Sequence, residues 1–226
     1  MRCLCLFGAA TMLFAAPVFA YNEHGSLAIH LVASYEYLQC EDLCPPGMTC
    51  EEVNCDLTLV ELEASGGYGY AAFVAYNIEQ VDALEFYVVG WPVGSGTPEF
   101  SEPLYCPEGA VALGEPFEKR GGSGGVVALS SCQEPCSGMF CICMISFGPE
   151  ILSWLPITLE FAPSSYSFPS TPHNYFCDCT VNWGDTQPEN EHPAVIGGTC
   201  DPIPNCEPGP TENDGSTWGG VKELYR

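Results

Sequence analysis

Apolar and polar residues alternate with a period of two over much of the chain. Leu27, Ile29 and Leu31 interleave with Ala28, His30 and Val32, and such a period sets alternate side chains on opposite faces of a strand. Leu57-Thr-Leu-Val-Glu-Leu-Glu63 repeats the pattern and predicts a second strand. Tyr68 to Ile78 and Val81 to Trp91 are two longer runs, rich in aromatic and β-branched residues, joined by a polar link around Asn77 and Gln80. In the second of them Leu84, Phe86 and Val88 face one way, and Ala83, Glu85, Tyr87 and Val89 the other. After a Gly/Pro-rich stretch from Pro92 to Pro107, short runs recur at 110–113, 126–131, 139–147, 157–161, 175–183 and 194–196, with turn residues between nearly all of them. About ten short strands so spaced predict an all-β fold, an antiparallel sandwich, because a parallel sheet needs helices between its strands. No repeat of fixed period is visible, which argues against a propeller or solenoid.

Both ends break the pattern. Met1 and Arg2 precede an apolar run from Leu4 to Ala16 that is short for a bilayer span, and Val18 and Ala20 are small residues at the positions a signal peptidase reads. This predicts a signal peptide over 1–20, cleaved after Ala20, a secreted or cell-surface destination and no transmembrane segment once the signal is removed. A β-sandwich domain is expected over 21–199. Residues 200–216 are rich in Pro, Gly and acids and read as a linker. In 217–226, Trp218, Val221, Leu224 and Tyr225 fall at helical spacing, so a short amphipathic C-terminal helix is expected, able to act as a docking or sorting tail.

Composition narrows the class. With 24 glycines and 20 prolines, about a fifth of the chain, an all-helical bundle is nearly excluded. The 29 acidic and 5 basic side chains give a net charge of -24, which removes any case for nucleic acid, whose phosphates are neutralised by Lys and Arg. A hydrophobic share of 46% is enough to build a core.

Cys3 and Cys5 leave with the signal. Thirteen cysteines remain: Cys40, Cys44, Cys50, Cys55, Cys106, Cys132, Cys136, Cys141, Cys143, Cys177, Cys179, Cys200 and Cys206. In an exported chain their expected fate is disulfide bonding. An odd number leaves one thiol over, free, buried or joined to another molecule as a disulfide-linked dimer. Cys141-Ile-Cys143 and Cys177-Asp-Cys179 are two Cys-x-Cys pairs in strand-like stretches, where residues two apart share a face, so each cysteine can bridge separately to a neighbouring strand or loop. The same four thiolates could hold zinc, but structural zinc sites more often use wider spacing.

Four segments, Ala83 to Pro92, Asn174 to Cys179, Pro193 to Gly197 and the ending Ser216-Thr-Trp-Gly-Gly-Val-Lys-Glu-Leu-Tyr-Arg226, together resemble a group of exported bacterial proteins with a cohesin-like or carbohydrate-module-like β sandwich. Within them the Thr-Trp-x-x-Val-Lys-x-Leu-Tyr pattern is the most specific. The resemblance implies a jelly-roll-type sandwich and brings no functional residues with it. The cysteines around 40–55 and 132–143 are additional to a cohesin pattern.

Candidate chemistry is sparse. Gly121-Gly-Ser-Gly-Gly125 matches the nucleophile elbow in letters, but the elbow runs from strand into helix and here a strand follows, so a hairpin loop is expected. His24, His30, His173 and His192 have no partner at a recognised spacing; His30 reads as a satisfied sheet residue and His192, beside Glu189 and Glu191, as solvated. No catalytic residue and no bound cofactor is expected. Calcium is the best small-ligand candidate, through Asp185, Glu189, Glu191 and Asp214, although neither loop fits the EF-hand pattern. Tyr68, Tyr70, Tyr76, Tyr87 and Trp91 could form a platform for a sugar or a protein, or could pack the core. The expectation is a non-enzymatic module for binding or assembly with an extracellular protein or glycan. The alternative is a small secreted glycan-acting hydrolase using paired carboxylates.

Overall fold

The computed structural model describes residues 25–34, 52–78, 80–94, 96–106, 109–118, 121–133, 139–167, 169–179, 183–186 and 192–200. Twelve strands are found among them: β1 (Ser26–Ala33), β2 (Asp56–Leu57), β3 (Gly69–Tyr76), β4 (Val81–Val89), β5 (Leu104–Tyr105), β6 (Val111–Glu115), β7 (Gly124–Gln133), β8 (Met139–Phe147), β9 (Ile157–Ala162), β10 (Tyr175–Cys177), β11 (Trp183–Asp185) and β12 (Ala194–Ile196). One sheet has the order β1-β3-β8-β5. The other runs β11-β10-β4-β9-β12-β2, with β7 also on β4 and β6 outside β7. Every strand pair is antiparallel except β12 with β2. The expected all-β, disulfide-braced antiparallel sandwich is what the chain forms.

The inner faces supply the main core. Leu84, Phe86 and Val88 of β4 point inward as the alternation predicts, opposite Leu27, Ile29 and Leu31 of β1 and Ala71, Phe73 and Ala75 of β3. Phe73 lies at its centre, its ring 5.1 Å from that of Phe117 and 6.2 Å from that of Trp91. Three members of the aromatic platform, Tyr70, Tyr76 and Trp91, are buried, so core packing accounts for them.

The first sheet departs from simple alternation. All eight residues of β3 are buried, because the outer face is covered as well: Ala28, Ala72, Val74, Tyr76, Met139, Cys141 and Met144 form a second apolar layer with Val53 and Cys106. A strand buried on both faces has no polar side to show. Within β8 the pairing slips between Phe73 and Val74 of β3, leaving Ile142 as an extra residue. After this bulge Cys143 faces the main core and Cys141 the outer layer, so these two cysteines do not share a face. An inserted residue reverses the alternation downstream of it.

The run Leu57 to Glu63 is the main correction. Only Asp56–Leu57 is strand; Leu59–Ala64 is a helix, α1. Thr58 and Glu61 form a reciprocal capping box: the Thr58 side chain accepts from the Glu61 backbone N–H, and the Thr58 N–H donates to Glu61 Oε2 at 2.8 Å. Leu57 before the cap and Leu62 in the first full turn both lie in the main core, the arrangement of a hydrophobic staple. Over seven residues the apolar spacing fits either period, and the cap decides it.

The stretch 53–57 ties the two sheets together. The Leu31 N–H of β1 donates to the Asn54 carbonyl at 2.7 Å, and the Val195 N–H donates to the Cys55 carbonyl at 2.9 Å. Cys55 is bridged to Cys200, with Cα atoms 6.0 Å apart. Cys200, expected to open the linker, is therefore bound into the body. A second bridge joins Cys132 of β7 to Cys179, with Cα atoms 5.4 Å apart, and Cys106 is also disulfide-bonded.

Candidate binding surface

One end of the sandwich is closed by two short pieces, α1 and the 3-10 turn Pro149–Ser153. Each drives one large side chain into the core, Leu62 from α1 and Ile151 from the turn, both fully buried. The chain leaves α1 through Gly66 and Gly67, both with positive φ. At Gly67 (φ 87) a Cβ would lie 2.6 Å from the Pro149 Cα, so the two pieces meet backbone to backbone there.

Anchoring these pieces by one residue each leaves their other apolar side chains outside. Val60 is 74% exposed, Leu59 47%, Tyr68 46%, Trp154 38% and Leu152 37%. Leu152 is next to Gly67 and Tyr68 is next to Gly148, so helix exit and 3-10 turn share one surface. The two pieces carry Glu61, Glu63 and Glu150. Glu61 is engaged in the cap, and its hydrogen bonds from Thr58 hold its carboxyl below the usual range. Of these residues, the sequence pattern marks only Tyr68 as a candidate contact. Pro149 and Pro156 on either side of Trp154 were the available sign that the segment is a surface turn.

A second polar feature lies on the outer face of β4. Glu85 points outward there, as the alternation predicts, but is completely buried. Its Oε1 accepts from the Ser164 hydroxyl at 2.6 Å and from the Ser167 N–H at 3.0 Å. The Asn174 side-chain oxygen accepts from the Ser164 N–H at 3.2 Å, and the Ser123 carbonyl accepts from the Ser165 N–H at 2.9 Å. Glu85 thereby holds the segment 164–167 over the sheet.

The remaining candidates separate. His30 Nδ1 accepts from the Asn54 N–H at 2.8 Å, and burial holds its pKa below the ordinary value. It is a satisfied sheet residue. His192 is half-buried rather than solvated, and burial lowers its pKa too. The His173 ring packs 5.9 Å from that of Tyr175. Ser123 lies in the turn between β6 and β7, with no helix after it. Cys143 and Cys177, both candidates for bridging, carry free thiols. Burial raises the pKa of each, and Asp82 and Asp178 push Cys177 further. A raised pKa disfavours the thiolate, which is the reactive form. Cys141 Sγ lies 3.7 Å from that of Cys106.

Among the described residues no group of three or more His, Cys, Asp or Glu side chains could hold a metal. Asp185 lies in β11; Glu189, Glu191 and Asp214 are outside the described residues, as are His24, Cys40, Cys44, Cys50, Cys136, Cys206 and the tail residues Trp218, Val221, Leu224 and Tyr225. A shallow depression of about 240 Å³ is lined by Tyr70, Ser101, Glu102, Pro103, Leu104, Met144 and Ser146. It holds one carboxylate, so it does not supply the facing pair that glycoside hydrolysis uses. No described helix is long and apolar enough to cross a membrane.

The architecture is that of a two-sheet antiparallel sandwich with a capped end. The chain matches no protein-family model and no curated protein sequence. Among solved structures it is similar to a type II cohesin domain from the cellulosome of Acetivibrio cellulolyticus, at 10% identity and a TM-score of 0.42, over 77% of this chain and 95% of that one. It is also similar to a cohesin module from a family 33 glycoside hydrolase of Clostridium perfringens, at 11% identity and a TM-score of 0.40, over 63% and 89% of the two chains.

Proposed function

We propose that the protein is an exported, non-enzymatic module for binding or assembly, and that its capped end is the binding surface. The observation that carries this reading is the exposure of Leu59, Val60, Tyr68, Leu152 and Trp154 on or beside two pieces that Leu62 and Ile151 already anchor. Exposed apolar groups that folding does not require, rimmed by charge, mark interaction surfaces. Export fits the two bridges described above, which persist in oxidising compartments. The tail around Trp218 is a second contact in this reading, placed beyond the acidic linker.

The test uses the mature chain, 21–226, on a panel of purified extracellular proteins and a glycan array. A ligand held by the wild type is expected to be lost by Leu152→Ser with Trp154→Ser, provided the melting curve shows a folded protein, while Trp154→Phe retains most of it. Undiminished binding by the double variant would remove the capped end from the proposal. Bond cleavage in any arrayed glycan would favour the hydrolase. Deleting 211–226 without effect on secretion or ligand retention would remove the tail.

A further inference from the structure

The chain's five basic side chains, Arg2, Lys119, Arg120, Lys222 and Arg226, all lie outside the described residues. Against them stand 29 acidic side chains, a net charge of -24 over the chain. At the capped end this matters most, because the Tyr68 ring and the Glu150 carboxyl meet at Gly148 there. Tyr68 approaches Gly148, whose Cβ position lies 3.0 Å from Glu150 Oε2, and Trp154 follows on the same turn. Glu150 and Glu63 belong to the two pieces that form the surface, and unlike Glu61 neither is engaged by a cap.

Such a surface selects its partner by charge and shape together. An apolar partner would leave the carboxylates to lose water without compensation. An acidic partner would be repelled. A guanidinium or ammonium group gains on both counts, since its flat or compact cation is attracted to the face of Trp or Tyr and pairs with the carboxylates beside it. Its aliphatic stem meanwhile covers Leu152, which lies against the helix exit at Gly67. Resting on the reading of the capped end as the binding surface, we infer that this surface takes a cationic polypeptide segment, one that alternates Arg or Lys with aliphatic residues.

The probe is an acetylated hexapeptide of alternating Leu and Arg, titrated into the mature chain by calorimetry at low and at moderate salt, beside its citrulline counterpart. Citrulline keeps the shape and hydrogen bonding of arginine and removes the charge. Binding is expected to weaken at least tenfold for citrulline and for the wild-type peptide on Trp154→Ser. Glu63→Gln with Glu150→Gln should weaken it several-fold and flatten its salt dependence. Trp154→Phe should retain most of the affinity, which separates loss of the ring from loss of folding. Equal affinity for the citrulline peptide would overturn the cationic partner and leave an apolar binding surface standing. Equal affinity of Trp154→Ser for the arginine peptide would show attraction to the acidic body at large and overturn this site. No binding by the wild-type protein overturns the inference as well; it reaches the proposed function only if the protein panel and glycan array are also empty.

Discussion

Two regions of this protein invert the usual distribution of residues, in opposite senses. On the outer face of β4 the carboxylate of Glu85 is completely buried; at the capped end Val60, Leu59 and Tyr68 are about half or more exposed. One oxygen of the buried carboxyl, Oε1, is explained from within the fold, by the Ser164 hydroxyl and the Ser167 N–H that it accepts from, while Oε2 is buried without a hydrogen-bond partner. Val60 and Leu59 have no comparable tie among the described residues, and Leu62 and Ile151 already provide the anchors. Where the fold explains an inversion, substitution should reduce stability. Where it does not, substitution should affect recognition instead.

The largest expected effect lies beneath the capped end. Cys55–Cys200 closes a sequence separation of 145 residues and fastens the strand that leads into α1. Replacing both cysteines with alanine should cost about 4 kcal/mol in denaturant unfolding, because the unfolded chain regains the entropy of that loop. A loss below about 1 kcal/mol would show that Asn54 and the β2–β12 pairing hold the strand unaided.

Next is the buried carboxylate. Glu85→Ala should destabilise by about 3 kcal/mol, since the Ser164 hydroxyl and the Ser167 N–H lose their acceptor in a place water does not reach. Glu85→Gln keeps an acceptor oxygen and should cost about 1 kcal/mol. Hydrogen exchange at Ser165, Tyr166 and Ser167 should rise in the alanine variant before the rest of the sheet responds. If Glu85→Ala is neutral, the segment 164–167 is held by Ser123 and Asn174 alone, and the two regions no longer contrast.

The β4 region was easier to read in the sequence than the capped end, for a physical reason. A nine-residue strand shows its alternation clearly, and Leu84, Phe86 and Val88 lie where that alternation puts them. Burial of Glu85 could not be read, because the segment covering it comes about eighty residues later. At the capped end the elements are five and six residues long. Over so short a span Leu57 to Glu63 fits a strand and a helix equally well, and the decisive sign was local chemistry, the Thr58 and Glu61 capping box. Ile142 shows a third limit: a bulge leaves no mark in the pattern of an all-apolar strand, so the separation of Cys141 from Cys143 emerged only from the pairing.

A smaller effect follows from pH. Burial holds the pKa of His30 below its ordinary value of 6.5, and His192 shifts the same way. The unfolded chain therefore binds protons that the folded chain refuses. The stability linked to these histidines is fully present above about pH 6.5 and declines as pH falls through the range below it. His30→Gln, which keeps an acceptor for the Asn54 N–H, should make unfolding less sensitive to acid than in the wild type. A wild-type midpoint unchanged between pH 7.5 and 5, followed in denaturant, would contradict the linkage.

The smallest expected change in stability is at Val60, and it is the sharpest test of the contrast. Val60 is 74% exposed and occupies the first turn of α1. Serine has a similar helix propensity and removes little buried surface at such a position, so Val60→Ser should shift stability by no more than about 0.5 kcal/mol. The capping box and Leu62 are untouched by the change, so the helix should persist by circular dichroism. What the substitution removes is apolar area at the proposed interface, so a ligand of the capped end should bind more weakly at unaltered melting temperature. A stability loss of about 2 kcal/mol would mean that Val60 has a structural partner in the folded chain. The exposed side chains of the capped end would then belong to the fold, like Glu85, and would no longer mark a surface kept for something else.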